Sequence, residues 1–176
     1  MFETKDNRGK AISVKVIAGS LADHKAPTPP PDSWASDSKN EVAIWLIKME
    51  AGAQWNLPPA SAGLNRTIYF YEGDSLQVDD KSVPHYHSAS LKSDAAVRLQ
   101  NGNKPASILL LQGRAIDEPV AQYGPFVMNS QSEIQQAYRE YQETQFGGWP
   151  WPSYDHVHPR ERGRFAKHAN GVEEVK

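Results

Sequence analysis

The sequence contains no cysteine, which removes disulfide staples, thiol nucleophiles and thiolate metal sites together and suits a reducing compartment. Net charge is nearly absent as well: 19 Lys and Arg stand against 21 Asp and Glu, a formal balance of -2 at pH 7. A chain so balanced has no broad electropositive field to hold a nucleic-acid backbone or an anionic membrane. No apolar run approaches the length of a membrane span, and the polar opening from Met1 to Lys10 lacks the apolar core of a secretory signal. The expectation is a cytoplasmic protein that touches neither membrane nor nucleic acid directly. Several catalytic fingerprints are also missing: there is no P-loop, no G-x-G-x-x-G turn, no G-x-S-x-G elbow and no H-E-x-x-H pair.

What is present is a succession of short strands. In Ile12 to Ile17 the apolar Ile12, Val14 and Val16 alternate with Ser13 and Lys15, so one face is buried. Pro27, Pro29, Pro30 and Pro31 then enforce an extended, hydrogen-bond-poor covering loop as far as Trp34. Val42 to Met49 is almost continuously apolar, as expected of a core strand. Thr67 to Tyr71 sends Ile68 and Phe70 to one side and Tyr69 and Tyr71 to the other, and Glu72, Gly73 and Asp74 turn the chain into Leu76 and Val78. Further strands are expected at Pro84 to Leu91, Ala95 to Leu99 and Ser107 to Leu111.

Short strands joined by Gly, Asp, Asn and Pro turns, with no helices between them, argue for an antiparallel sandwich or small barrel. One helix follows late. Ser130 and Glu133 have capping-box spacing, and Ile134, Ala137, Tyr138 and Tyr141 recur at helical period. The expected organisation is a linker-like extension over residues 1–11, one all-β domain over 12–146 with its helix at about 131–145, and an extended, irregular tail over 147–176. Trp149 and Trp151 in that tail carry enough apolar area to require docking on something.

Two His-x-His pairs have metal-ligand character, His85 with His87 and His156 with His158. Residues i and i+2 of a strand share a face, so a pair of imidazoles can converge on one ion. A site needs a third ligand and often a carboxylate, and the nearest acids, Asp79, Asp80 and Asp94, sit in or across turns. The other reading of His85 and His87 is a pair of satisfied or exposed side chains at a strand start. Trp45, Tyr69 and Tyr71 are candidates for lining a ligand cavity inside the barrel, against a reading as core aromatics.

Four stretches together resemble one family. Gln122 to Asn129, entering a helix at Glu133 and Ile134, is similar to the signature near the end of the pirin C-terminal cupin domain. Val16 to Gly19 with the proline-rich loop from Ala26 to Trp34 resembles the start of that half. Gly63 to Gly73, and the tail from Gly148 to Pro152 with Gly163 to Ala166, look like pirin-related bacterial sequences. The resemblance implies an antiparallel jelly-roll barrel, the cupin double-stranded β-helix, from a protein whose two barrels face each other. It also implies iron, or another first-row metal, held by three histidines and a glutamate in the N-terminal half only. Family members are assigned quercetin dioxygenase activity or redox-responsive transcriptional co-regulation through protein contacts.

The ligand-bearing segment of that family has no counterpart in this chain, so no catalytic residue, metal ligand or cofactor is expected here. The leading expectation is a non-catalytic cupin module whose partner is the N-terminal cupin half of a pirin-like protein, with a homodimer forming through the exposed half-interface. The alternatives are a small metal-dependent dioxygenase using His85 and His87, or a small-molecule-binding barrel around Trp45, Tyr69 and Tyr71.

Overall fold

The structure, a computed structural model, describes residues 1–151, 153–154 and 157–175. It divides into two units, Met1–Ile116 and Asp117–Lys176. The first unit carries β1 (Phe2–Lys5), β2 (Ala11–Ala18), β3 (Ser20–Leu21), β4 (His24–Lys25), β5 (Ala43–Met49), β6 (Gln54–Leu57), β7 (Asn65–Glu72), β8 (Leu76–Val78), β9 (Lys81–Val83), β10 (His87–Ser90), β11 (Val97–Asn101) and β12 (Ala106–Gly113). A six-stranded sheet runs β1-β2-β5-β12-β7-β10 and a four-stranded sheet runs β6-β11-β8-β9. All pairings within them are antiparallel, as the lack of intervening helices requires.

Alternation explains why these segments pair as they do. Ile12 and Val14 of β2, Ile47 and Met49 of β5, Ile68 and Phe70 of β7 and Ile108 and Leu110 of β12 point inward and are buried. They share one apolar core with Leu57, Leu76, Val78, Val97 and Leu99 of the smaller sheet. The two sheets thus form the expected antiparallel sandwich of jelly-roll type. The turn from β7 to β8 fits only glycine at Gly73: its φ is +133°, and a Cβ there would lie 2.7 Å from the Phe70 ring. Asn101, buried at the end of β11, gives its amide to the carbonyls of Met49 (3.2 Å), Glu50 (2.9 Å) and Lys104 (2.7 Å), which joins the two sheets at that corner.

The proline-rich loop is a covering segment held by few bonds. Trp34 donates its indole N–H to the Arg114 carbonyl at 3.1 Å and accepts from the buried Asn40 amide at 2.8 Å. A cleft of about 460 Å³ lies beneath it, walled in part by Pro27, Pro29, Ala43 and Gln112.

The second unit holds β13 (Ala121–Tyr123) and β14 (Phe126–Met128), an antiparallel hairpin, then α1 (Gln131–Thr144). Ser130 caps the helix as its spacing predicts, accepting from the Glu133 N–H at 3.3 Å and donating to the Glu133 carboxylate at 2.8 Å. Ile134 and Ala137 are the buried face of α1, and the Phe126 ring meets Tyr138 edge-on at 4.9 Å.

Two expectations need correction. The stretch read as a linker over residues 1–11 is structured: β1 pairs along β2 from Phe2 opposite Val14 to Lys5 opposite Ala11, and Phe2 packs on the core. Its alternation of Phe2 and Thr4 with Glu3 and Lys5 was masked by the charged residues that follow. The helix expected at about 131–145 lies at Gln131–Thr144. The tail is also less irregular than expected, since β15 (Phe165–Lys167) and β16 (Glu173–Val175) pair as a hairpin and Arg162 stacks 3.8 Å from the Phe165 ring. Trp149 stacks on Tyr154 at 6.0 Å and donates to the Ser153 carbonyl at 2.9 Å. Pro152 and His156 lie outside the described residues.

Asp6 fixes the β1–β2 turn and ties it to β6. Its carboxylate accepts N–H groups from Arg8 (2.9 Å), Lys10 (2.9 Å) and Gln54 (3.0 Å). Burial disfavours the charge, but those donors outweigh it and hold the carboxyl at about 2, below its ordinary 3.8. A lowered carboxyl pKa contributes stability above the unfolded-state value and loses it as pH falls through the folded one. Urea midpoints are therefore expected to drop between roughly pH 4 and pH 2. Asp6→Asn should start lower at neutral pH and show a shallower acid slope, the residue of that slope coming from Glu50, which the Ala11 N–H and Lys10 also lower.

Candidate functional site

The inner face of the six-stranded sheet is built by register. Ile108 of β12 stands opposite Ile47 of β5 and Phe70 of β7, and Leu110 stands opposite Trp45 and Ile68. These six side chains are all buried, so the barrel interior at this level is filled by apolar groups. The outer face is a different surface. Across it run Lys15, Leu46, Leu109, Tyr69 and Ser88, each opposite the next on adjacent strands. Beside them Ile44, Leu111 and Thr67 form a second row. Tyr69 is 42 % and Leu111 36 % exposed, and Ile44, Leu46 and Leu109 are half-buried.

The three aromatics expected to line one cavity are divided between these faces. Trp45 is 5 % exposed in the interior, whereas Tyr69 and Tyr71, 42 % and 38 % exposed, point outward from β7. The period-2 alternation that separates Tyr69 from Phe70 also separates it from Trp45. No single cavity takes all three.

His85 and His87 are not neighbours on one strand face. β10 begins at His87, and Tyr86 between them adopts φ +61°, so the chain turns there. His85 Nε2 donates to the Tyr71 carbonyl at 3.1 Å and His87 Nδ1 to the His85 carbonyl at 2.9 Å. The His85 ring also meets Phe70 and Tyr86 edge-on, at 5.8 Å and 4.4 Å. The nearby acids are engaged elsewhere: Asp79 accepts the Arg98 N–H at 2.9 Å, Asp80 pairs with the Arg98 guanidinium at 2.9 Å, and Asp94 with Lys92 at 3.5 Å. Among the described residues no group of three or more His, Asp and Glu converges as a metal cage would. These residues do not fit a first-row metal centre. His87 instead borders a cleft of about 600 Å³ between β9 and β10, shared with Val83, Pro84, Leu91 and Val97. In the tail, His158 packs edge-on against Phe165 at 4.6 Å.

Sequence reading missed the polar end of the barrel interior. Arg66, at the start of β7, is 2 % exposed, and only its Nη1 has a partner, the Pro58 carbonyl at 2.7 Å. Arg66 Nε and Nη2, Trp45 Nε1 and Gln112 Oε1 are buried without a hydrogen-bond partner. Register places Arg66 directly opposite Gln112, with Trp45 opposite Leu110 two residues along. Burial pushes the Arg66 guanidinium down from its usual range. The signal was in the sequence: Arg66 shares the phase of Ile68 and Phe70, so a cation was written into an inward position.

Likeness to a solved structure defines the class of this barrel. A crystal structure of quercetin 2,3-dioxygenase from Acinetobacter baumannii superposes with a TM-score of 0.65 at 26 % identity, covering 82 % of this chain and 46 % of that one. The barrel is a cupin. The pirin C-terminal cupin domain matches residues 44–147, and the chain belongs to the pirin family. Among its relatives are a pirin-like protein of Solanum lycopersicum, 41 % identical over 81 residues, and pirin of Mus musculus, 37 % identical over 106. These matches cover 44 % and 57 % of this chain, but only 28 % and 36 % of the relatives. The chain spans less than half the length of the relatives it matches.

If the interior is a packed core, truncating its largest fully buried side chain leaves a void. Phe70→Ala is expected to lower stability by about 3–5 kcal/mol, read as a shift in the urea midpoint at unchanged slope. A loss below about 1 kcal/mol, the range of a tolerant surface site, would mean that the interior is loose.

Proposed function

We propose that this chain is a non-catalytic cupin half that packs against a metal-bearing cupin half, with the outer face of the six-stranded sheet as the docking surface. The observation that carries the reading is that face. Ile44, Leu46, Leu109, Leu111 and Tyr69 make a contiguous apolar stripe bordered by Lys15, Ser88 and Thr67, an arrangement of apolar centre and polar rim that marks a protein interface. Two further facts support it. The relatives are more than twice as long as the stretch they share with this chain, so a surface that meets their other portion has an occupant of the right kind. The interior, where a cupin would carry out metal chemistry, is taken up by Phe70, Ile108 and Leu110. In this reading the chain supplies a rigid wall, and the partner half supplies iron and any dioxygenase activity.

The test uses size exclusion with light scattering. The chain alone is expected to self-associate with rising concentration, and an N-terminal pirin-type cupin half added in excess should replace that association with a one-to-one complex. Leu46→Lys with Leu109→Lys should abolish both while leaving the circular dichroism spectrum unchanged, because both side chains point away from the core. A chain that stays monomeric at high concentration and ignores the added half overturns the proposal. So does a stoichiometric first-row metal in the purified protein, found by elemental analysis and lost in a His85→Ala, His87→Ala double variant.

A further inference from the structure

We infer that the polar end of the barrel interior, formed by Arg66, Trp45 and Gln112, is a binding site for a small hydroxylated carboxylate. Four buried polar atoms without partners fall on three adjacent strands: Arg66 Nε and Nη2 on β7, Gln112 Oε1 on β12 and Trp45 Nε1 on β5. Arg66 is directly opposed to Gln112, and Trp45 is diagonal to Gln112 on the same sheet face, positions within reach of long side chains, so we take the four atoms as one cluster. In native proteins such groups are almost always satisfied, and each one left bare costs about 1–3 kcal/mol. A cluster of four, one member carrying a full charge, calls for a ligand that completes it.

The chemistry of the ligand follows from which atoms are free. Arg66 Nη1 is committed to the Pro58 carbonyl. The free Nε and Nη2 are the two parallel donors on one edge of the guanidinium, the geometry that a carboxylate meets with both oxygens. Trp45 Nε1–H is a third donor and suits an anion equally. Gln112 Oε1 is an acceptor and repels an oxyanion, so it needs a donor on the same ligand, which a hydroxyl beside the carboxylate provides. The Gln112 amide nitrogen is already spent on the Glu41 carbonyl at 3.0 Å, which fixes the oxygen in its role. Gln112 also forms part of the wall of the cleft beneath the proline-rich loop, the side from which we have the ligand enter. The ligand is small, of the size of glycolate, because the surrounding inward positions are filled by Ile68, Leu110 and Ala43.

The experiment is a titration of the full chain with formate, acetate and glycolate, at ionic strength matched with sodium chloride. It follows the Arg66 Nε–H and Trp45 indole N–H resonances by nitrogen–proton NMR. Saturable shifts of both are expected, with half-saturation at or below about 10 mM and glycolate binding tightest. Arg66→Met should abolish the response. Should that variant fail to fold, Trp45→Phe removes a single donor and should weaken binding roughly fivefold to tenfold, the worth of one hydrogen bond. Gln112→Leu should erase the preference for glycolate over acetate. The inference is overturned if neither resonance moves beyond the chloride control, as when internal waters alone complete the cluster, or if the shifts persist in Arg66→Met. Neither result bears on the docking of the outer sheet face, which the lysine variants on β5 and β12 test separately.

Discussion

The in-register row of Ile47, Ile108 and Phe70 across β5, β12 and β7 is the contact on which the rest of the first unit depends. Each of the three strands has neighbours on both sides, so its backbone is fully paired and its register is fixed by which residues must face inward. A slip of one residue on β12 would turn Ile108 and Leu110 to solvent and bring Leu109 and Leu111 inside. It would also break the pairing of Leu110 with Trp45 and Ile68. Because that slip is so costly, the outer face is as strictly specified as the inner one, and the apolar stripe at Ile44, Leu46, Leu109 and Leu111 is a fixed surface rather than an accident of loose pairing.

This double specification separates two tasks. Inward positions of the six-stranded sheet build a core shared with Leu99 and Leu57 of the smaller sheet, and that core excludes a spacious metal chamber at the level of Phe70. Outward positions are free of that duty, and on most antiparallel sheets they become polar where water covers them. Here β5 and β12 keep Ile44, Leu46, Leu109 and Leu111 on the outward side as well. The edge of the same sheet behaves normally, with Glu3 and Lys5 on β1 and Ser88 and Ser90 on β10.

How much of this was legible in the sequence depends on the length of each signal. The long strands β2, β5, β7 and β12 declare themselves because five or more residues alternate or run apolar without interruption. The helix is marked by both its cap and its period, and its expected span of about 131–145 differs from Gln131–Thr144 by a single residue. Short elements were lost. Gln54–Leu57 and Lys81–Val83 are too brief for a period to emerge, and they become strands only because partners at Val97–Gln100 and Leu76–Val78 pair with them. The segment from Pro84 to Leu91 shortens to His87–Ser90 because Tyr86 turns the chain, which no composition rule announces. That turn also undoes the His-x-His geometry, which held only on the premise of a straight strand.

Arg66 shows where phase carries more information than composition. Read as the residue before an apolar strand, it looks like a solvated cap. Read in phase with Ile68 and Phe70, it is a cation committed to the interior, opposite Gln112. Burying an unpaired charge costs far more than burying an amide, and a chain free to vary would place an aliphatic residue there and gain packing. The Pro58 carbonyl meets one nitrogen of the fork, which fixes the orientation of the guanidinium without answering its charge. A group held in place but not neutralised is preorganised for an anion, because the entropy of ordering its side chain is spent in folding and not again on binding. The same register that packs Phe70 into the core therefore leaves Arg66, four residues before it on the same face, aimed and buried with its charge unanswered at the barrel's end.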